Sequence, residues 1–341
     1  MAASGSVQLS RGTRCAAVVA ALAGSGAGIV SVAGRGALPP GLATGQPPPR
    51  AVDGVPTGSW AEAAFEAQRH PAGHTVEVPD VGPVALVREV SPLDVALLTV
   101  SALAYAVLAG VLSVPRPRDA AATRVGLCLL LGGLAVSLVG VYPARTAVEH
   151  ALALAYVVVL AALPVAFLEL ATTFPHRHRW RDRAPWLMPV AVLAGLAVAA
   201  SGVVAWDRHL RAPTPATFAA TRAPTFAGLA LLVAGMAAGC VALAGASRAA
   251  RSLRERSQAR WLLWGIAVAA APFVLLRALP RLLVGAEAPV PTAFDRAVEL
   301  AAPASFAAAV ARHRMLDIDV VIRRSLLYTG LAVVLVGVAA A

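Results

Sequence analysis

The stretch A-R-H-R-M-L-D-I-D-V-V-I-R-R-S-L-L-Y-T-G, residues 311–330, decides how the chain is laid out. It is a short charged segment between two apolar runs, Pro303–Val310 with its lead-in and Ser325–Ala341. Four arginines (Arg312, Arg314, Arg323, Arg324) bracket two aspartates (Asp317, Asp319) and a Val-Val-Ile core. Basic residues in short loops keep those loops on the cytoplasmic side of a membrane. Residues 311–324 are therefore expected inside, and that placement sets the direction of every other span.

Working outward, the 341 residues are 58% hydrophobic and only 14% charged, with a mean hydropathy of +0.72. A soluble domain carries about 25% charged residues, so the composition is that of a membrane protein. All 29 basic residues are arginine, and the net charge is +11. The arginines fall in loops between apolar runs rather than on one solvated face, which excludes nucleic-acid binding as their role. Cys15, Cys128 and Cys240 each lie inside an apolar run. Their spacing matches no metal motif, and they read as small packing residues.

Apolar runs of about 20 residues suffice to cross a bilayer. After the first run, Cys15–Ala33, they recur at Leu93–Val114, Val125–Tyr142, Ala151–Thr173, Ala184–Ala205, Phe226–Ala246, Trp261–Val284, Thr292–Val310 and Ser325–Ala341. The expected fold is an all-α polytopic membrane protein of about nine transmembrane helices. Residues 1–34 form a leader and first span (or signal peptide), 35–92 a small extracytoplasmic segment, and 93–310 a seven-span bundle. Residues 311–324 are a cytoplasmic juxtamembrane segment and 325–341 a final span.

Within the extracytoplasmic segment the opening L-P-P-G-L-A-T-G-Q-P-P-P-R reads as an extended linker. Ser59–Arg69 predicts a short helix capped by Ser59 with Glu62 three residues on. His74–Val78 and Val84–Val90 alternate as a hairpin around Asp80–Gly82. So few elements bury little apolar surface, predicting a small cap rather than an independent domain. His70 and His74 are four apart, but Pro71 and Gly73 break any helix that would align them as metal ligands.

Arginine placement orients the whole. Arg116, Arg118 and Arg124; Arg177, Arg179, Arg181 and Arg183; Arg248, Arg251, Arg254, Arg256 and Arg260; and the quartet at 312–324 fill alternate short loops. With Arg11 and Arg14 they put the N-terminus inside, residues 35–92 outside and 311–324 inside.

Ionisable residues within spans are functional candidates by default. Glu169 lies about 7 Å from the inner boundary at 1.5 Å per residue, close enough to snorkel toward the arginines at 177–183. Arg277 and Arg281 are four apart on one helix, as are Asp295 and Glu299 on the next. With a short connection between them, these spans should be antiparallel neighbours. Arg281 would then face Asp295 and Arg277 face Glu299 in a charged clasp, with independent snorkelling as the alternative. Gly24–Gly28 and Gly235–Gly239 are small-xxx-small patterns that permit close helix approach.

No catalytic motif is present: there is no phosphate-cradling glycine loop, no H-E-x-x-H and no G-x-S-x-G. His176-Arg-His178 reads as a solvated basic anchor. Asp317 and Asp319, flanked by four arginines, read as neutralised by them rather than as cation ligands.

The run A-R-H-R-M-L-D-I-D-V-V-I-R-R-S-L-L-Y resembles the R-Y-R-L-x-D-I-D-x-V-I-x-R-x-L-x-Y signature of multi-pass sensor regions in bacterial histidine kinases, including the competence quorum-sensing type. The similarity extends to R-S-Q-A-R-W-L-L-W-G (Arg256–Gly265), A-P-F-V-L-L-R-A-L-P (Ala271–Pro280) and T-T-F-P (172–175), and so covers roughly Leu93–Ala341. The resemblance implies a sensory input region in the bacterial plasma membrane, belonging to a kinase that is a homodimer and acts on a response regulator. It also implies a cytoplasmic module carrying the phospho-accepting histidine and binding ATP. The chain stops at Val338-Ala-Ala-Ala341, so that module is expected to be missing, and no cofactor is expected within these residues. Residues 311–324 would relay a shift between the last two spans, their arginines held at anionic headgroups. The competing readings are a stand-alone polytopic receptor or scaffold, and a transporter. A transporter should show broken helices and mid-membrane polar residues in matching halves, and neither is evident in the sequence.

Overall fold

The computed structural model describes residues 10–313, apart from 40–41, 43–46, 80, 116–118, 140, 142–143, 176, 251 and 285–297. Its long helices are α1 (Arg11–Ala33), α3 (Pro92–Ser113), α4 (Ala120–Leu138), α5 (Ala147–Thr173), α7 (Leu187–Arg211), α8 (Pro215–Ala249) and α9 (Leu253–Pro272). All but α7 start where a side chain accepts from a free N–H of the first turn. Ser91 with Asp94, and Thr146 with Glu149, form reciprocal capping boxes for α3 and α5; Asp119 and Ser252 cap α4 and α9. Short elements complete the set: α2 (Trp60–Ala67), α6 (Arg179–Arg183), a π-helical turn (Phe273–Ala278), α10 (Leu279–Val284) and α11 (Ala301–His313).

Among the described residues, seven helices are long and apolar enough to cross a membrane. The chain is an all-α, multi-pass membrane protein, and the first seven expected spans each meet one of these helices. Of the eighth, residues 298–299 and 301–310 are helical and 292–297 lie outside the described residues, as does the ninth. The span expected at Phe226–Ala246 begins much earlier, at Pro215, because Thr214 caps it and Pro215 suits a first helical turn. Pro224, inside that helix, does not end it.

The bundle is a ring. α3 packs on α4, α4 on α5, α5 on α8, α8 on α9, α9 on α11, and α11 returns to α3. α1 lies against α3 and α4, and α7 against α5 and α8. Both small-residue patterns make close approaches. A Cβ at Gly28 would meet Leu138 and the Ser137 carbonyl at 2.8 Å, and one at Gly239 would run into the Phe167 ring. Beside the first contact the Ser137 hydroxyl donates to that of Ser25 at 2.9 Å, a buried interhelical bond suited to a lipid environment.

The polar cap carries more strand than one hairpin. β4 (Thr75–Val78) pairs with β5 (Gly82–Ala85), so a hairpin forms where one is expected, but its second strand runs from Gly82 to Ala85 instead of from Val84 to Val90. β1 (Gly36–Ala37) pairs with β6 (Val87–Arg88), and β2 (Ala51–Val52) with β3 (Val55–Pro56). Between them and α2 lies a core of its own: Val52, Ala63, Ala67, Val76, Val78, Val84 and Leu86 are all buried. The sequence expectation of little burial is thereby corrected. Trp60 and Leu42 cover this core, so folded irregular chain supplies what regular elements do not.

Candidate functional site

The cap meets the bundle at a polar seam made from the chain leaving α1, the start of α5 and the end of α7. Arg35, directly after α1, is 2% exposed. Its Nη2 donates to the Ser31 hydroxyl at 3.3 Å, and Ser31 donates to Glu149 Oε1 of α5 at 2.5 Å. Burial lowers the Arg35 pKa to about 10, Glu89 countering that shift and Arg145 adding to it. Its Nε has no hydrogen-bond partner among the described residues. Burial also raises the pKa of Glu89, against the pull of Arg35. Arg145 closes the seam from α5's side, donating to the main-chain oxygens of Gln68 and His70 at 3.2 and 3.1 Å.

The second half of the seam is a socket at the join of α7 and α8. Phe65 of α2 sits among Trp206, His209 and Phe218, with ring centroids 5.6, 5.2 and 5.5 Å away. These tilted contacts add to the burial of the rings. Beneath it, Glu66 is 3% and His209 1% exposed, with Oε1 and Nε2 4.0 Å apart. That separation is too long for a hydrogen bond, and neither atom has another partner among the described residues. The other edge of each group is satisfied. Glu66 Oε2 pairs with Arg69 Nη1 at 3.2 Å, and His209 Nδ1 meets Thr217 Oγ1 at 3.1 Å. Burial raises the Glu66 pKa, with Arg69 opposing it. Arg69 also donates to the Leu210 carbonyl at 3.2 Å, satisfying an acceptor in the last turn of α7.

Inside the ring is an apolar cavity of about 170 Å³. Tyr105, Leu129, Phe167, Met236, Ile266 and Phe306 line it, one from each of the six ring helices. The π-helical turn adds Phe273 and Val274, and among the described residues Glu299 is the sole carboxylate-bearing residue of the lining. The Tyr105 hydroxyl donates to the Glu299 main-chain oxygen at 3.4 Å. Such a lining suits an apolar ligand with one or two polar anchors.

At the opposite end of the bundle Glu169 sits between two arginines. Arg181 of α6 holds it at 2.9 Å and Arg124 of α4 at 3.2 Å. The first partner lies in the arginine cluster toward which the sequence directs Glu169. The second comes from a helix the sequence gives no reason to choose. Arg14 lies at this end too, donating to the Ser113 carbonyl at 3.0 Å.

The remaining expected residues are placed as follows. Arg277 lies in the π-helical turn and Arg281 in α10. α9 packs on α11, so the two spans of the expected clasp are neighbours. Asp295, and with it the Arg281–Asp295 pairing, lies outside the described residues. Arg312 is in the last turn of α11. Arg314, Asp317, Asp319, Arg323 and Arg324 lie outside the described residues. His178 caps α6, its Nδ1 accepting from Trp180 N at 3.2 Å.

One group of metal-ligating side chains forms among the described residues. The helix break at Pro71 does not keep His70 and His74 apart: their rings stack at 4.9 Å and 3°. Asp53 joins them, with Oδ2 3.6 Å from His70 Nε2. Sequence spacing gives no access to Asp53, which arrives from a turn seventeen residues earlier.

No family model matches this chain, and neither does any curated protein or solved structure.

Proposed function

We propose that this chain is the membrane-embedded sensory input region of a two-component histidine kinase, set in a bacterial plasma membrane with the cap outside. In this reading a signal taken at the cap or in the ring cavity shifts α11 and passes through 311–324 to a cytoplasmic output module. ATP, the response regulator and the homodimer contact belong to that module and its linker. The resemblance of residues 311–328 and the distribution of arginines favour the reading. The observation that carries it is the seam: polar contacts tie the cap to the chain leaving α1 and to α5 and α7 at once. A displaced cap must therefore move those helices or break those contacts.

The test places the chain in frame before a histidine-kinase output module in membrane vesicles and follows autophosphorylation. Substituting Asp317 and Asp319 by Asn, or Arg69 and Arg145 by Ala, should change the basal rate several-fold without loss of insertion. Unchanged phosphorylation in both variants rejects the relay. A second reading, a stand-alone polytopic receptor for an apolar molecule, is favoured by the closed ring around an apolar cavity. It predicts ligand binding that is indifferent to the same four substitutions.

A further inference from the structure

We propose that Asp53, His70 and His74 form a binding site for a divalent transition metal of the zinc class on the surface of the cap. The three come from separate places: the β2–β3 turn, the end of the α2 segment, and the turn before β4. Their ligand atoms all lie within 4.8 Å of one another. A tetrahedral zinc ion holds nitrogen and oxygen ligands at about 2.0–2.2 Å, which puts the ligand atoms about 3.4 Å apart. Side-chain rotation alone can close that difference, since Asp53 and His74 are exposed and His70 is half-buried. Two imidazoles and one carboxylate suit Zn, Cu or Ni rather than Mg or Ca. Three protein ligands leave a fourth position open to water or another donor.

The backbone beneath each ligand is already fixed. Asp53 takes φ +49°, followed by Gly54 at +81°, in the tight turn between β2 and β3. Its N–H donates to the Glu77 carbonyl at 2.9 Å, pinning that turn to β4. The His70 carbonyl accepts from Gly36 N at 2.9 Å and from Arg145, and the His74 carbonyl accepts from Leu86 N at 2.8 Å. The rings lie near parallel, with one nitrogen of each within 4.8 Å of an Asp53 carboxylate oxygen. An ion-free cluster would still gain from the His70–Asp53 contact, but that pair does not account for His74 being stacked upon it. Arg69 and Arg145 lie close enough to oppose a cation, so the Asp53 charge is needed to offset them. The inference concerns the cap alone and holds whether or not the chain feeds a kinase.

The experiment is calorimetric titration of the untagged full chain in lipid nanodiscs with zinc chloride, repeated with His74→Ala, His70→Gln and Asp53→Asn. A paired variant, His176→Ala with His178→Ala, tests the other histidine cluster. Cobalt(II) substitution, read by visible absorption, reports the coordination directly. One equivalent should bind. Loss of an outer-shell partner already weakens metal sites by about 10–100-fold, so each of the first three variants should weaken binding at least tenfold. The His176/His178 pair should leave it unchanged. His74 is exposed, so a His74→Ala chain that melts as the parent does gives the cleanest comparison. Binding that is absent, that survives His74→Ala, or that disappears with the His176/His178 pair overturns the site.

Discussion

Glu66 is a carboxylate that folding buries with one oxygen paired to Arg69 and the other facing His209 across a gap. Burial raises its pKa, so the folded cap holds this proton more tightly than the unfolded chain. Stability from the group is fully present below the unfolded carboxylate range and falls as pH climbs through the raised value. Glu89 carries the same sign. We expect Glu66→Gln to flatten the pH dependence of cap melting, removing up to about 1.4 kcal/mol per pH unit within that window. A variant that melts with the parent's pH profile refutes the assignment. At the other end, Glu169→Gln leaves Arg124 and Arg181 facing each other without their shared anion. A double-mutant cycle with Arg181→Ala should give a coupling of about 0.5–3 kcal/mol, measured by denaturation in detergent. A value near zero would mean the contact is decorative. Glu169 and Arg181 could be associated from sequence because they are twelve residues apart across one helix end. Arg124 could not, nor could Asp53 for His70 and His74, because only helix packing and a strand turn bring those partners in.

At the scale of the element, apolar run length locates seven helices, since a bilayer demands about the same number of residues from each. It does not reveal how far a helix continues beyond the lipid, and so the start of α8 is legible only through Thr214 and Pro215. The two-residue strands β1, β2 and β3 are too short for any alternation to show, and β6 lies inside the single strand read at Val84–Val90, which divides because β6 pairs with β1. Glycine spacing is more informative than an alanine-rich background suggests. Gly239 admits the Phe167 ring against α8, and Gly235 lies one turn earlier with the Pro164 side chain against it. Gly239→Leu should force α5 and α8 apart and destabilise the bundle by about 1–3 kcal/mol, typical of an overpacked core. The exposed-face change Val241→Leu is the control, and equal melting of the two variants would contradict this packing.

For the molecule as a whole, arginine distribution and tertiary contacts agree on which loops share an end. Arg14 reaches the end of α3, and Glu169 gathers Arg124 and Arg181, while the cap occupies the far end. What composition does not show is that cap and bundle are joined by buried polar groups rather than by a tether. Replacing Arg69 and Arg145 with Ala should speed hydrogen exchange across Trp60–Arg88 by about tenfold, equivalent to about 1.4 kcal/mol of lost docking. Exchange in α3–α5 should stay at the parent's rate; uniform acceleration everywhere would show that the seam is not a separable contact.

α8 has 35 residues and therefore a length of about 52 Å, against a hydrocarbon layer of about 30 Å. Its first turns carry Phe218, on which Phe65 rests. A rod so much longer than the film it crosses converts film thickness into altitude. Thicker lipid submerges more of the rod and draws the cap toward the headgroups, whereas thinner lipid or a smaller tilt lifts it clear. In the sensory reading proposed above, the bilayer itself would then be a mechanical input, delivered through the aromatic socket of Phe65 and the Arg69 and Arg145 contacts together.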